Sequence, residues 1–251
     1  MIHLRSEKEI DAIRHSCQIV VGALNLAEAM LEESVTTLQL SKEIEKFIVK
    51  KHKARPAFKG YQGFPGSACI SVDDEVVHGI PNNKPLKTGS LVKVDVGVES
   101  NGFYGDAAKT FVVGGKADPD AEHLMKITKE SLKRGINKAS NSNRVSDISY
   151  AIQSFVENAG YSVVRELVGH GIGRELHEEP QVPNFGDPGK GPRLKSGMVI
   201  AIEPMVNRGT QEVTTDDDGW TVRSADGSLS AHYEHTVAIT KNGALILTEG
   251  I

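Results

Sequence analysis

The most regular alternation of apolar and polar residues lies between Leu91 and Val113. Valine occupies every second position from Val92 to Val98, which predicts a half-buried strand. Asn101-Gly102 then marks a hairpin turn. A two-residue loop predicts these pairs: Ser100 with Phe103, Gly97 with Asp106, and Asp95 with Ala108. The two aspartates then become diagonal neighbours on one face, and only an odd loop length would separate them.

Helical periodicity flanks this hairpin on both sides. Before it, a capping box at Ser6 predicts a helix to about Glu33, and a second helix opens at Thr37 and ends in the basic run 50–53. After it, Asp118-Pro119 predicts a third helix, and Ser146 should cap a fourth that Gly160 stops. Two helices followed by strands thus occur twice, which indicates an α+β architecture with two related halves of about 1–115 and 116–251, without a residue-level repeat.

Composition narrows the class of protein. The chain has 251 residues, of which 39% are hydrophobic, enough for one large domain with a full core. Its formal net charge of −4 argues against a general nucleic-acid binder, so we expect no DNA partner. Cys17 and Cys69 are too few for a disulfide framework, which fits a reducing compartment. Without a signal peptide or membrane-length apolar run, we expect a soluble, cytoplasmic protein with no membrane contact.

Acidic residues and one histidine on or beside predicted strands form the candidate chemistry. Glu203 follows the buried-type run 198–202, and Glu234 lies within the alternating segment 230–239, which we read as a single strand. An unpaired buried carboxylate is costly, so each of these needs a cation or a proton. Oxygen donors with one imidazole suit a pair of divalent metals, Mn, Co, Fe or Zn, that activates water for hydrolysis; the proposed ligands are Asp95, Asp106, His170, Glu203 and Glu234.

Other features are ambiguous taken alone. Gly97 and Gly105 should leave open backbone room around the aspartate pair. The Gly- and Pro-rich segment 54–68 carries Phe58, Tyr61 and Phe64, either as a loop pinned to the core or as one wall of an apolar pocket. A lone histidine such as His78 is more often a turn or core residue than a catalytic one. The glycine-rich segment 169–173 lacks the spacing of a dinucleotide loop, and the segment 177–181 lacks the second histidine of a zincin.

Five segments together resemble methionine aminopeptidases, specifically the short bacterial type I form: VDVG, NGFYGD, GHGIGRELHEEP, GMVIAIEPM and SAHYEHT. The resemblance covers essentially the whole chain and implies the pita-bread fold, with two pseudo-symmetric halves of helices and antiparallel strands around a dinuclear metal site. It implies a single catalytic domain, 1–251. It also implies a metalloexopeptidase that removes the initiator methionine from nascent polypeptides with a small second residue, through a hydroxide shared by the metals.

The resemblance also implies a role for each site residue. Asp106 and Glu234 would bridge the metals, Asp95 would chelate one, and His170 and Glu203 would complete the other. Glu203 would also act as general base, His177 would hydrogen-bond the scissile carbonyl, and His78 would contact the substrate backbone. The pocket for the methionine side chain would be formed by Phe58, Tyr61, Phe64, Cys69, Leu176 and Trp220.

Departures from the family pattern occur at three positions. Leu176 stands where relatives often carry Phe, Phe58 where many carry Cys, and His232, near Glu234, where Gln is usual. A methylene-scale change in a pocket alters discrimination by about 1–3 kcal/mol, so a preference for methionine should survive. The family resemblance further implies a structural monovalent cation, Na or K, held by backbone carbonyls near Asp73, Glu75 and Ser230.

Three alternatives remain beside this reading. Prolidase and aminopeptidase P, which are Xaa-Pro peptidases, resemble the ligand set but normally carry an additional amino-terminal domain. Type II methionine aminopeptidases carry a helical insertion for which there is no room between His170 and Glu203. A non-catalytic pita-bread module that binds protein or RNA would typically have lost ligands. The resemblance implies a monomer and a transient ribosome contact, for which the basic run 50–53 is the candidate.

Overall fold

The protein is described by a computed structural model that covers residues 1–251. Its four α-helices are α1 Glu7–Met30, α2 Thr37–Lys46, α3 Pro119–Lys138 and α4 Val145–Asn158. The strands are β1 Arg55–Pro56, β2 Cys69–Val72, β3 Glu75–Val77, β4 Leu91–Ser100, β5 Phe103–Val112, β6 Ser162–Val163, β7 Gly169–Gly171, β8 Glu178–Val182, β9 Val199–Ile202, β10 Met205–Asn207, β11 Val213–Thr215, β12 Val222–Ser224, β13 Ser230–His232, β14 His235–Thr240 and β15 Gly243–Ile246. No helix combines the length and apolar character needed to cross a bilayer.

All strand pairings inside the sheets are antiparallel. In the first half, β4 lies between β1 and β2 and also pairs with β5. In the second half, five strands pair in the order β15-β14-β9-β7-β8. Two smaller sheets, β13-β10-β6 and β11-β12-β3, complete the fold. The predicted order of two helices followed by strands, repeated once, is therefore the observed one.

The helices begin largely where the capping residues predict. Ser6 and Glu9 form the expected capping box, and the Asp118 side chain accepts hydrogen bonds from two amides of α3. The prediction for Ser146 was wrong: this residue lies inside α4, and its hydroxyl donates to the Lys190 carbonyl at 2.9 Å. The side chain of Asp147 instead accepts from the Arg144 amide at 2.7 Å, so the helix starts earlier than the serine suggested.

Two helix ends also differ from the expected ones. Helix α1 ends at Met30 rather than about Glu33, because Leu31 leaves helical geometry with ψ 82° and buries its side chain. Helix α2 is followed directly by a π-helical turn, Phe47–Lys51, which carries the chain into the predicted basic end. Gly160, at φ 83°, follows α4 as predicted.

The β4–β5 hairpin confirms the predicted register. Ser100 pairs with Phe103, and the two-residue loop places Gly97 opposite Asp106 and Asp95 opposite Ala108. The prediction that Gly97 and Gly105 leave open room around the two aspartates was wrong. A Cβ on Gly97 would lie 2.6 Å from the Phe58 ring, and one on Gly105 would lie 2.6 Å from the backbone nitrogen of Cys17. These glycines admit an aromatic ring and helix α1 rather than leaving open space.

The buried apolar residues form three principal clusters. One lies mainly among α1, α2, β2, β4 and β5, and a second mainly among α3, α4, β9 and β14. The third joins residues from both parts of the chain, with Cys17, Phe58 and Phe64 from the first and Ile172, Leu176 and Val199 from the second. This shared cluster lies beside the strands that carry the candidate ligands, so packing between the halves supports their positions.

Candidate active site

The candidate ligands come from both halves of the chain. Asp95 and Asp106 lie on β4 and β5, and His170 lies on β7. Glu203 follows β9 directly, and Glu234 lies between β13 and β14. The segment 230–239 is therefore not one strand as predicted. The chain breaks pairing there, and the Glu234 amide donates to the Ala108 carbonyl of the hairpin at 2.9 Å, which ties this carboxylate to the aspartate-bearing strands.

The ligand atoms converge. One donor atom each from Asp106, His170 and Glu234 lies within 4.8 Å of the others, and His170 Nε2 lies 3.6 Å from Glu203 Oε1. Oxygens of Asp95, Asp106 and Glu234 are buried without a hydrogen-bond partner. Buried carboxylate oxygens left unpaired this way are costly, so a donor set of this composition fits divalent metal ions.

Electrostatics in the cluster favour an added positive charge. Burial, and then repulsion by Asp106 and Glu203, raises the pKa of Asp95 well above its usual value. Burial raises the pKa of Asp106 to about 7, and burial followed by neighbouring carboxylates raises the pKa of Glu203 and Glu234. Neighbouring negative charges in a buried site disfavour ionisation of each carboxyl group. A bound cation would lower these pKa values again.

Hydrogen bonds orient the ligand side chains and the backbone around them. His170 Nδ1 lies 2.9 Å from the Gly171 carbonyl, so it carries the proton and leaves Nε2 free to bind a metal. The Thr236 hydroxyl accepts from the Asp106 amide and donates to the Asp106 carbonyl at 2.7 Å. The Asn184 side chain donates to the Glu203 carbonyl at 3.0 Å. Thr236 thus ties the backbone of Asp106 to the second half of the chain, while His170 and Glu203 are contacted by residues of their own half.

A cavity of about 1010 Å³ opens over this cluster. Its wall contains all of the residues predicted for the site: Phe58, Tyr61, Phe64, Cys69, His78, Asp95, Asp106, His170, Leu176, His177, Glu203, Trp220 and Glu234. The carboxylates and the aromatic loop thus line the same cavity. A bound molecule could therefore place a polar group at the acidic cluster and an apolar group among the aromatic rings.

The aromatic loop forms a pocket wall as well as packing into the core. Phe58 and Phe64 are both buried, and the Phe64 ring meets the Trp220 ring edge-on with centroids 5.2 Å apart. His78 also stands edge-on to Trp220, at 6.4 Å, and has a left-handed backbone with φ 58°. A non-glycine residue in this conformation is strained, a condition that is frequent at functional sites.

His177 is held by a partner that sequence spacing does not reveal. The Tyr61 hydroxyl lies 2.7 Å from His177 Nδ1, and the His177 ring stands at 83° to the His170 ring. Burial lowers the pKa of His177, so its neutral form is favoured. If Tyr61 donates to Nδ1, the proton of the neutral ring lies on Nε2, the nitrogen that can donate to a substrate.

The amino-terminal segment also reaches the cavity, which the sequence pattern did not predict. Met1, His3 and Arg5 line its mouth, and Arg5 forms an ion pair with Glu178. The Arg5 amide donates to the Gly197 carbonyl at 2.7 Å, which fixes the segment. Charge and hydropathy around Arg5 carry no signal of this role, because its partner lies far along the chain.

His232 lies beside the proposed base. Its Nε2 is 3.8 Å from Glu203 Oε2, and neither ring nitrogen has a hydrogen-bond partner. The sequence pointed to Glu234, two residues on, and the structure brings the ring near Glu203 as well. Burial lowers the pKa of His232 to about 3, so the ring is neutral.

A buried lysine lies on the ligand strand β4, two residues before Asp95. Lys93 Nζ donates to the Asp73 carbonyl at 2.7 Å, and the side chain is 1% exposed. Burial lowers the pKa of Lys93 to about 8, while Asp73, Glu75 and Asp74 act in the opposite direction. These acidic neighbours favour the charged ammonium.

Comparisons with known proteins agree with this geometry. The model of metallopeptidase family M24 matches residues 11–241. A methionine aminopeptidase of Clostridium perfringens is 55% identical over 248 residues, which are 99% of each chain. The crystal structure of methionine aminopeptidase from Thermotoga maritima superposes with a TM-score of 0.96 at 43% identity and 99% coverage of both chains. The chain belongs to the methionine aminopeptidase family.

Methionine aminopeptidases share their fold with longer peptidases. Prolidase from Pyrococcus furiosus superposes with a TM-score of 0.80 at 25% identity, covering 98% of this chain and 65% of the prolidase. The methionine aminopeptidase match is closer in sequence and spans both chains. The α+β pita-bread fold expected from the sequence is thus confirmed, with a buried Asp, His and Glu cluster of metal-binding type.

Proposed function

We propose that this metallopeptidase removes the initiator methionine at the cluster formed by Asp95, Asp106, His170, Glu203 and Glu234. The observation that carries the proposal is the convergence of buried, unpartnered carboxylate oxygens and a free imidazole nitrogen in the wall of a cavity that aromatic side chains also line. This convergence supports a hydrolytic centre next to a pocket whose apolar, aromatic lining suits a thioether side chain.

The five side chains would hold two divalent ions drawn from Mn, Co, Fe and Zn, because carboxylates and imidazole accept all of these. When bound, such a pair lowers the pKa of water and polarises a carbonyl oxygen. Asp106, His170 and Glu234 would form the centre of this ligand set, because one donor atom of each lies within 4.8 Å of the others. Asp95 and Glu203 would complete the set, with Glu203 Oε1 3.6 Å from His170 Nε2.

Three side chains are proposed to move protons or orient the substrate. Glu203 takes a proton from the attacking water and passes it to the leaving amine, since its carboxylate lies in the cavity wall, 3.6 Å from His170 Nε2. His177, oriented by Tyr61, donates to the carbonyl oxygen as negative charge develops there. His78, fixed beside Trp220, contacts the backbone of the substrate.

The apolar part of the cavity would bind the methionine side chain. Phe58, Tyr61, Phe64, Cys69, Leu176 and Trp220 provide a mostly aromatic surface there. Cys69 pairs with Asp95 across β2 and β4, so this wall and the acidic cluster are held in register. That fixed distance favours cleavage after one residue, and a small second residue would leave room for the carbonyl to reach His177.

The substrates are the amino termini of nascent polypeptides, and the chain would act as one catalytic domain over 1–251. A monomer and a transient ribosome contact through the basic run 50–53 remain predictions. Lys51 in this run stacks over the Phe47 ring at 4.7 Å, which leaves its charge at the surface.

The activity is tested with three peptides: Met-Ala-Ser, Met-Leu-Ser, and a matched Xaa-Pro peptide. Chelator-stripped protein should be inactive, and adding back Mn, Co, Fe or Zn separately should restore cleavage of the first peptide alone. Cleavage of the Xaa-Pro peptide would identify a prolidase activity instead. No turnover with any metal would contradict the proposal and favour a binding module.

Glu203→Gln tests the proposed base directly. We expect kcat to fall by about 10²–10⁴-fold, because the amide cannot accept the proton. The exposed Glu212→Gln serves as the matched control and should leave kcat unchanged. A Glu203→Gln variant with wild-type kcat would remove Glu203 from the proposed mechanism.

A further inference from the structure

Lys93 is the largest fully buried side chain in the protein, and it is charged. It lies on β4, two residues before Asp95, and is 1% exposed. Burying an ammonium group without compensation is strongly unfavourable. Its surroundings should therefore contain groups placed to receive a cation.

The compensating group is a backbone carbonyl. Lys93 Nζ donates to the backbone carbonyl oxygen of Asp73 at 2.7 Å, and the Ser230 amide donates to the same oxygen at 3.1 Å. Asp73 itself is held in a left-handed conformation with φ 53°. Two donors occupy both lone pairs of this oxygen, which leaves no lone pair for a metal ion.

The carboxylates of the acidic run 73–75 already have hydrogen-bond and ion-pair partners. Arg223 contacts both carboxylate oxygens of Asp74 and one of Glu75. The Asp73 carboxylate accepts from the Ser90 hydroxyl and the Leu91 amide. With Arg223 and Lys93 in place, this corner of the fold needs no additional positive charge.

We propose that the Lys93 ammonium is a built-in replacement for the structural monovalent cation that the family resemblance implies near Asp73, Glu75 and Ser230. A lysine ammonium is a compact point charge similar in size to K⁺, and both are bound by carbonyl oxygens. The residues present therefore do not fit a free Na⁺ or K⁺ ion at this position. The protein is independent of monovalent cations.

The replacement also ties the charge to the ligand strand. Alternate residues of a strand point to the same face, so Lys93 and Asp95 extend from one side of β4. Through the Asp73 carbonyl, Lys93 links β4 to the turn between β2 and β3 and to the start of β13. A cation attached covalently to β4 cannot dissociate, which keeps this connection at any salt composition.

The test compares the Tm of full-length, Mn²⁺-loaded protein in NaCl, KCl and tetramethylammonium chloride at equal ionic strength. Wild type should melt at the same temperature in all three salts. Lys93→Ser should lose on the order of 5 °C in tetramethylammonium chloride, because the buried carbonyl loses a donor, and should recover most of this loss in NaCl or KCl. Lys109→Ser, on the partner strand, is the control and should be insensitive to the cation.

Two outcomes would overturn the proposal. One is a wild-type Tm that is higher in NaCl or KCl than in tetramethylammonium chloride, and the other is a folded Lys93→Ser variant whose Tm is the same in all three salts. Because Tm requires no turnover, neither outcome depends on the peptidase activity. If Lys93→Ser does not fold, the wild-type Tm in the three salts still tests whether the protein depends on Na⁺ or K⁺. Crystals of wild type soaked in Tl⁺ provide a second measurement, in which an anomalous peak beside the Asp73 carbonyl would also contradict the proposal.

Discussion

Single residues at this site are positioned by partners remote in sequence. Tyr61 and His177 are separated by 116 positions yet lie 2.7 Å apart, and the Thr236 hydroxyl bonds both backbone groups of Asp106 across the two halves. The metal-ligand types could be read from the sequence because buried carboxylates need a cation. Their orienting partners could not, since a tyrosine in a loop or a threonine in a strand carries no local signal of its partner.

Tyr61 should affect catalysis through His177. Tyr61→Phe removes the hydrogen bond that selects the ring tautomer, so we expect kcat to fall by a smaller factor than in His177→Ala, which removes the oxyanion donor and should cost about 10²–10³-fold. Steady-state kinetics on Met-Ala-Ser measure both. Tyr104→Phe, an exposed tyrosine hydroxyl bonded to Arg55, is the control. Equal losses in Tyr61→Phe and Tyr104→Phe would contradict the positioning role.

Among the elements, the β4–β5 hairpin was the most predictable and the segment after β13 the least. The register of the hairpin follows from Asn101-Gly102, because turn chemistry and alternation are local properties. The segment 230–239 keeps its alternation through Glu234, yet pairing breaks there because β13 and β14 join different sheets. Alternation reports burial on one face and does not identify the neighbouring strand.

The two hairpin glycines should respond differently to a methyl group. In Gly105→Ala the new Cβ meets the backbone of Cys17, which cannot rotate away, so we expect a loss of about 1–3 kcal/mol in the free energy of unfolding. In Gly97→Ala it meets the Phe58 ring, which can turn toward the cavity and should raise KM for methionine peptides. Urea unfolding and kinetics on both variants distinguish these effects. The hypothesis fails if Gly97→Ala leaves KM unchanged.

Helix α3 offers a test of local capping. Asp118 accepts from the amides of Asp120 and Ala121, both at 3.0 Å. Asp118→Ala should therefore lower the free energy of unfolding by about 1 kcal/mol, while Lys126→Ala, exposed on the same helix, should change it little. Urea denaturation at neutral pH provides the comparison. A larger loss in the Lys126 variant would show that capping is not the controlling interaction.

At the scale of the whole molecule, the acidic cluster couples folding to metal binding. Asp95, Asp106 and Glu234 each have a buried carboxylate oxygen without a hydrogen-bond partner, and the shared apolar cluster packs the two halves together around them. The sequence indicated two halves through its repeated helix order. It could not indicate which side chains interdigitate between them, because that depends on the relative placement of the sheets.

Metal removal should therefore lower the melting temperature. At a metal concentration of about 100 times Kd, linkage contributes about 2.7 kcal/mol, or a Tm rise of roughly 5–10 °C for a chain of this size. Calorimetry of chelator-treated and reloaded protein measures it. Asp106→Asn should lose most of the rise yet melt no lower than wild type without metal, since it removes one buried charge. An unchanged Tm on chelation would argue against a buried metal centre.

The ion pair between Arg5 and Glu178 has a practical consequence for handling the protein. It fixes the first residues at the mouth of the cavity, with Met1 and His3 in its wall. An affinity tag fused ahead of Met1 would therefore leave the fold beside the substrate entrance and compete with peptides for it. Ile251 packs against the first-half core instead, so a tag at the carboxyl end leaves the entrance clear for kinetic work.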